Sequence, residues 1–293
     1  MSKILVTGAT GQLGAAVTES LLKRTDASNI SILVRDAAKA AAFKAKGVTV
    51  AVGDYSDYAA VLAALRGIDK LYLVSGTDLE NRAAQHENVI NAAKEAGVRQ
   101  VLYTSFQRKK NISHSAIAEV SESHIQTERI LKASGLIYTI LQHGLYADII
   151  PAFAGEQLLE TKTIYLPSGT GKVSFAVRAD LAEAEATILL DQTHKFDNKE
   201  LEFTGNEAVS WEEIAKIITG ITGETIAYVS PSEDEFKGAL TQAGVPLEIV
   251  GMLADFNAGI AAGEFEEIKP DLETILGRKP ATVKSYLQSV YGK

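Results

Sequence analysis

Apolar residues in this chain come in short β-prone runs separated by longer stretches where they recur every three or four positions. The runs at 4–7, 30–35, 48–52, 70–75, 100–104 and 138–142 read as strands. Between them, 14–24, 37–46, 57–66, 80–96 and 119–133 read as helices, with Gly47, Gly97 and Gly135 as stops. The strand runs are nearly continuous in apolar character, as in a sheet covered on both faces. This rhythm predicts right-handed βαβ units building a doubly wound parallel sheet, an α/β fold. The second half is less regular. It offers strands at 173–177, 201–204 and 225–229, an alanine-rich helix at 179–190, and helical segments to the end, the last from near Pro280. Ser210-Trp211-Glu212-Glu213 and Ser232-Glu233-Asp234-Glu235 are capping boxes, the first opening a helix over 211–219. Residues 107–118 are polar, partly basic and aperiodic, and are expected to form a mobile loop.

The first strand, Ile-Leu-Val-Thr, runs into Gly8, Gly11 and Gly14, spaced three apart, and then into a helix. Strand, glycine triplet and helix in that order are the phosphate-binding turn of a Rossmann-type dinucleotide fold. Gly8 lets the chain leave the strand, Gly11 lets backbone approach a pyrophosphate, and Gly14 lets the helix pack closely on the strand. The helix N-terminus supplies about half a positive charge and free N–H groups. Residues 1–150 are therefore expected to form an NADP-binding Rossmann domain, which the strand and helix near 173–190 rejoin. Residues 151–293 are expected to form a smaller α/β lobe over the carboxyl edge of the sheet, covering the substrate.

Composition narrows the partners. A net charge of −8 argues against nucleic acid, which needs a basic face. Cysteine is absent, so disulfides, thiolate catalysis and thiolate metal sites are excluded. The histidines, His86, His114, His124, His143 and His194, show no metal-like spacing, and no metal is expected. No stretch approaches the roughly 18 apolar residues of a spanning helix, so no membrane association is expected and the protein is taken as cytoplasmic. Surface helices could support a homodimer, though nothing in the pattern requires one.

The second strand of such a fold delivers the group that meets the adenosine ribose, an acid for a 2′-hydroxyl or an arginine for a 2′-phosphate. Here it ends in Arg35, with Lys39 one turn later, which points to NADPH. Asp36 is the rival, acting as the acid of an NAD site, and Arg35 as a plain surface cation is the unspecialised alternative. Asp54 and Tyr55 end the third strand, where Asp54 either accepts from the adenine amino group or, like Ser56, caps the next helix. Ser75 and Gly76 end the fourth strand near the expected ribose, and Thr104, Ser105 and Phe106 end the fifth beside the expected nicotinamide.

Several segments together resemble the NmrA-like branch of the atypical short-chain dehydrogenases, closest to its bacterial NADPH–quinone oxidoreductases. They are Val-Thr-Gly-Ala-Thr-Gly-Gln-Leu-Gly (6–14), Val-Arg (34–35), Gly-Asp-Tyr (53–55), Asn-Val-Ile-Asn-Ala-Ala-Lys-Glu-Ala-Gly-Val (88–98), Tyr-Thr-Ser (103–105), His-Ile-Gln-Thr-Glu (124–128) and Gly-Leu-Tyr (144–146). The resemblance implies turn contacts for Thr10, Gln12 and Leu13 and 2′-phosphate contacts for Arg35 and Lys39. It also implies that Gly144 and Tyr146 wall the nicotinamide and substrate cleft.

One departure bears on mechanism. Ordinary short-chain dehydrogenases carry Tyr-x-x-x-Lys on one helix face, the lysine lowering the tyrosine pKa. No Tyr-x-x-x-Lys occurs here, and His124 and Glu128 hold the corresponding places. A carboxylate there would raise a neighbouring acid's pKa, so ordinary carbonyl reduction is disfavoured. A quinone relaxes the demand, because its hydride adduct is a phenolate whose conjugate acid lies near ~10. The chain then has only to orient a flat acceptor. Phe106 and Tyr146 are candidate stacking walls, and Gln142, His143 or His124 candidate donors to a quinone oxygen. Phe106 could equally be core, and His124 is read as surface. A non-catalytic NADP(H) sensor of the same branch fits the absent acid as well. A reductase or isomerase of lignan-like or nucleotide-sugar substrates is disfavoured, because those relatives keep a lysine or a Tyr/Lys pair where this chain has Glu128.

Overall fold

The alternation read from the apolar runs is the one the chain adopts in the computed structural model, which describes residues 2–292. The strands are β1 (Ile4–Thr7), β2 (Ile30–Val34), β3 (Thr49–Val52), β4 (Lys70–Leu73), β5 (Gln100–Phe106), β6 (Ile137–His143), β7 (Thr163–Tyr165), β8 (Lys172–Val173), β9 (Lys199–Phe203), β10 (Val209–Ser210) and β11 (Ala227–Val229). The helices are α1 (Gln12–Leu22), α2 (Ala41–Ala45), α3 (Tyr58–Leu65), α4 (Arg82–Glu95), α5 (Ala118–Ala133), α6 (Ile149–Ala154), α7 (Leu158–Thr161), α8 (Arg178–Leu190), α9 (Trp211–Thr222), α10 (Glu233–Gln242), α11 (Leu247–Ala261), α12 (Asp271–Leu276) and α13 (Val283–Tyr291).

Seven strands form one sheet in the order β3-β2-β1-β4-β5-β6-β9. The order runs backward from β1 to β3 and forward from β4, so it reverses between β1 and β4. A doubly wound sheet binds its ligand outside the carboxyl ends at that reversal. The pairings of β1 with β2 and β4, of β2 with β3 and of β4 with β5 are parallel. Their register, with Thr7 beside Leu33, Val34 beside Val52 and Leu73 beside Tyr103, brings all these strand exits to one edge.

Contacts divide the chain into two compact units. One comprises Met1–Phe106, Glu119–Gln142 and Arg178–Leu201; the other comprises Gln107–Ala118, His143–Val177 and Glu202–Lys293. This differs from a single division at residue 150. In the first unit α8 packs on α1, where Ala182, Ala184 and Ala186 are buried and keep the helix slim. The strand expected at 173–177 is only Lys172–Val173. It pairs antiparallel with β10 in the second unit, and beyond it Ala176 pairs with Tyr146 in an isolated parallel bridge. The core of the first unit alternates along its strands. Leu71, Leu73, Val101 and Tyr103 meet Val61, Leu65, Val89, Ile90 and Leu131 on one face. Tyr72 points to the other face, where its hydroxyl donates to the buried Glu185 of α8.

The second unit holds two small sheets, β10-β8 and β11-β7. Trp211 is buried and contacts Phe153 and Phe175. Ser210 with Glu213 and Ser232 with Glu235 form both expected capping boxes. Residues 107–118, expected to be a mobile loop, are instead held within this unit. Ile117 is buried, Lys109 Nζ donates to Ala262 O at 3.1 Å, and Ser115 Oγ donates to Glu264. Among the described residues, no helix is long and apolar enough to cross a membrane.

Candidate functional site

The glycine turn has the geometry its sequence implies. Gly8 takes φ +61°, the left-handed conformation that side-chained residues avoid. A Cβ on Gly14 would lie 2.4 Å from Gly8 O, so only glycine lets α1 sit this close to β1. Gly11 differs from both. It is exposed, and an added Cβ would meet nothing nearer than Gly8 O at 3.2 Å. Its φ of −88° is open to any residue, and that single contact with a backbone oxygen is tight without being forbidding, so a ligand resting on the turn is the stronger reason for a glycine. No side chain caps α1, and its first turn carries no acid. That leaves the positive helix end and its N–H groups open to a phosphate. Thr10 and Gln12 are exposed beside it, while the Leu13 side chain is buried and offers only its backbone. Arg178, from the start of α8, donates to Gln12 Oε1.

Arg35 and Lys39 are both exposed just past β2. The expected helix over 37–46 opens as a 3-10 turn at Ala37–Ala40, because Asp36 bonds the Ala38 N–H at 2.9 Å as its cap. The rival acid of the sequence reading is thereby engaged in capping. At the end of β3, Asp54 accepts from Ser56 N–H at 2.9 Å. The cap of α3 is Asp57, through Ala60 N–H at 3.0 Å, and neither Asp54 nor Ser56 fills that role.

Tyr55 points its hydroxyl inward, toward Val74 O at 2.8 Å and Thr7 Oγ1 at 2.5 Å. Burial raises its pKa well above the ordinary value, against the lowering effect of the Thr7 hydrogen bond. Its hydroxyl braces strand exits. Thr7 Oγ1 accepts from Val74 N–H at 2.9 Å and Thr104 Oγ1 from Ser75 N–H at 2.8 Å. The chain leaving β4 is therefore held by side chains from β1 and β5 where the sheet ladder stops. A Cβ on Gly76 would meet Gln85 Oε1 at 3.4 Å and nothing closer, so packing within the chain does not require glycine there either.

The buried layer behind these exits is polar. Ser105 donates to Glu128 of α5, both buried. His124, read as surface from the sequence, is 5 % exposed. Its Nε2 lies 3.2 Å from Arg82 Nη1 and its Nδ1 2.8 Å from the Tyr103 hydroxyl. A guanidinium only donates, so Nε2 accepts and the Nδ1 proton faces Tyr103. The ring also stacks on half-buried Phe106 at 21° and 5.9 Å between centroids, which gives Phe106 a fixed face. Arg82, His86, Thr7 and Tyr103 were not singled out from sequence. Arg82 and His86, four apart and so on one face of α4, are the available signal.

Desolvation, reinforced by the Arg82 charge, lowers the His86 pKa from 6.5 to about 3. The unfolded chain therefore binds the proton that the folded chain refuses, and stability falls as pH drops below 6.5. Between pH 7 and pH 5 this removes about 2 kcal/mol, a loss that His86→Gln abolishes. Urea unfolding of both proteins at the two pH values measures it; equal losses in the two would contradict the assignment.

Four candidates lie along the chain past β5. Gln142 is half-buried at the end of β6 and belongs to the first unit. His143, Gly144 and Tyr146 belong to the second. His143 is buried, lies flat on Phe203 at an interplanar angle of 3°, and bonds the Tyr146 hydroxyl through Nδ1 at 2.8 Å. Of this pair the half-buried Tyr146 is the one open to solvent. Gly144 is buried and donates to Phe203 O at 2.9 Å. An added Cβ there would come within 3.1 Å of Gln107 Oε1, the tip of a flexible side chain that must give by a few tenths of an ångström.

The model of the NmrA-like family matches residues 1–287. Quinone oxidoreductase 2 of Escherichia coli is 37% identical over 98% of this chain and 98% of its own. The crystal structure of the E. coli NADPH-dependent quinone oxidoreductase QOR2 complexed with NADPH superimposes with a TM-score of 0.92, covering 99% of this chain and 100% of that one. Triphenylmethane reductase of Citrobacter sp. complexed with NADP(H) superimposes at 0.89 with 32% identity, covering 98% and 99%. A glycine turn at the sheet's reversal and a family match over nearly the full length agree: the chain belongs to the NmrA-like family.

Proposed function

We propose that this protein is an NADPH-dependent quinone oxidoreductase. The observation that carries the reading is on α5, where His124 and Glu128 hold the places of the usual Tyr/Lys pair. His124 has both ring nitrogens engaged inside the first unit, and Glu128 accepts from Ser105. No side chain at those positions is free to protonate an alkoxide. The similarity to a quinone oxidoreductase and to its NADPH complex supports the same reading.

The residues present fit the cofactor. Gly8, Thr10, Gly11, Gln12, Leu13 and Gly14 would hold the pyrophosphate and Arg35 with Lys39 the 2′-phosphate. Asp54 would accept from the adenine amino group. Ser75 and Gly76 would pass close to a ribose, and Thr104 and Ser105 would support the nicotinamide end. When bound, NADPH supplies the hydride. The chain's remaining tasks are to orient and stack. Phe106, fixed from behind by His124, offers a flat wall to a flat acceptor. A quinone that accepts hydride becomes a phenolate, whose conjugate acid has a pKa near ~10, and water can supply its proton. A ketone becomes a far stronger base and needs an acid that α5 does not offer.

The expected result is turnover with benzoquinones and naphthoquinones and none with simple aliphatic or aryl ketones. The quinone rate should slow with NADPH deuterated at the transferred position and stay unchanged in D2O. Ketone reduction at a comparable rate would overturn the reading.

A further inference from the structure

The α4 residues Arg82 and His86 hold a single residue of the candidate cofactor wall by both of its backbone groups. Arg82 Nε donates to Gly76 O at 2.7 Å, and Gly76 N–H donates to His86 Nε2 at 3.0 Å. The two side chains are one turn apart, so a single helix face reaches both groups. Each is anchored in turn on α5. Arg82 Nη1 donates to Ser123 Oγ at 3.0 Å and to His124 Nε2. His86 Nδ1 lies 2.9 Å from Thr127 Oγ1, and the Thr127 hydroxyl donates to Ser123 O at 3.0 Å.

Proton positions follow from the partners. A backbone N–H can only donate, so His86 Nε2 is unprotonated and the ring proton sits on Nδ1, facing Thr127. A second ring proton would set N–H against N–H next to the Arg82 guanidinium. Both side chains are buried, His86 completely and Arg82 to 7 % exposure, so water does not offer an easy substitute for a lost bond. Gly76 itself is held this tightly although neither packing nor a left-handed φ calls for a glycine there. A residue with no Cβ, fixed in orientation by two buried side chains, suits a backbone surface that must meet a ligand at close range.

We propose that Arg82 and His86 are positioning residues for the bound dinucleotide: through Gly76 they fix the backbone wall that the ribose meets. This rests on the assignment of Ser75 and Gly76 to the NADPH site. The polar identity of the helix face, unusual for a buried one, is then explained by a functional task rather than by stability, which apolar residues would serve as well.

The test compares wild type, His86→Leu, His86→Gln and Thr127→Val. It measures the NADPH dissociation constant by nucleotide fluorescence, hydrogen exchange of the Gly76 amide, and the imidazole nitrogen shifts by NMR. Wild type should show neutral His86 with its proton on Nδ1 and a protected Gly76 amide. His86→Leu should weaken NADPH and NADH alike by about tenfold and lose the amide protection. His86→Gln, whose Oε1 can replace Nε2 as acceptor, should recover most of both. Thr127→Val, nearly isosteric, should give a smaller loss in the same direction and serves if His86→Leu does not fold. Folded variants with lost amide protection but wild-type affinity would overturn the proposal, as would a wild-type ring protonated on Nε2. Failure of wild type itself to bind NADPH would instead overturn the function proposed above.

Discussion

Replacing Arg35 by alanine is expected to raise the dissociation constant for NADPH by about 30- to 100-fold while leaving that for NADH within about threefold, as follows from a charge-assisted bond worth about 2–3 kcal/mol. The reasoning is local. Val34 is the last residue of β2, in register with Val52, and Arg35 is the first to leave the sheet, exposed at its carboxyl edge. The nearby carboxylate of Asp36 caps its own turn, and Lys39 adds a second exposed cation within one turn. A guanidinium offers planar, paired donors to a phosphate dianion, which a 2′-hydroxyl does not need. Titrating both nucleotides against both proteins checks the selectivity. An equal loss for the two would place Arg35 elsewhere in the site, and no loss for either would make it a plain surface cation.

Gly14→Ala is expected to act on the fold and on both nucleotides together. The added methyl would lie 2.4 Å from Gly8 O, 2.7 Å from Gly8 C and 2.9 Å from Thr7 O. All three are backbone atoms of the turn and strand, so no flexible side chain can yield. The helix must move off β1, which costs about 1–3 kcal/mol by analogy with overpacked cores. Each kcal/mol lowers the melting temperature by about 2–4 °C in a chain of this size class. Because α1 also carries the uncapped N-terminus of the glycine turn, where the proposed function seats the pyrophosphate, NADPH and NADH should weaken by the same factor, about tenfold or more. Calorimetry with parallel nucleotide titrations measures both effects. A variant with unchanged melting and unchanged affinity would show that the close approach of α1 to β1 is not needed.

The sequence revealed those parts of the molecule that follow from apolar period and glycine spacing. β1 and α1 with their turn, and the placement of Arg35, Asp54 and Ser75 just past strand ends, are of this kind; β5 runs on past the expected end at Thr104 to Phe106. Other parts were hidden for identifiable physical reasons. The buried residues of α5 are Ser121, Ser123, His124, Thr127, Glu128 and Leu131, polar at all but one position. A reading by hydrophobic period finds no inward face there, and so it assigned His124 to solvent. The polar face is stable because its groups bond one another and Arg82, which depends on long-range placement. Three potential caps, Asp54, Ser56 and Asp57, stand within four residues, and only backbone geometry selects Asp57. β9 reads Lys-Glu-Leu-Glu-Phe, exposed at its start and buried at its end, and gave no sign that it extends the main sheet beyond β6. The segment 107–118 looks free by composition, yet Lys109, Ser115 and Ile117 are tied within the second unit.

The central claim is that a chain whose α5 offers no free acid still transfers hydride, to an acceptor that needs none. Anaerobic mixing of the protein with NADPH and a naphthoquinone, following nucleotide absorbance and hydroquinone together, tests it most directly. The expected result is catalytic turnover with one hydroquinone formed per NADPH consumed, at a rate proportional to protein. Tight NADPH binding without turnover on any quinone, with oxidised and reduced nucleotide bound unequally, would contradict it and make this protein a nucleotide sensor.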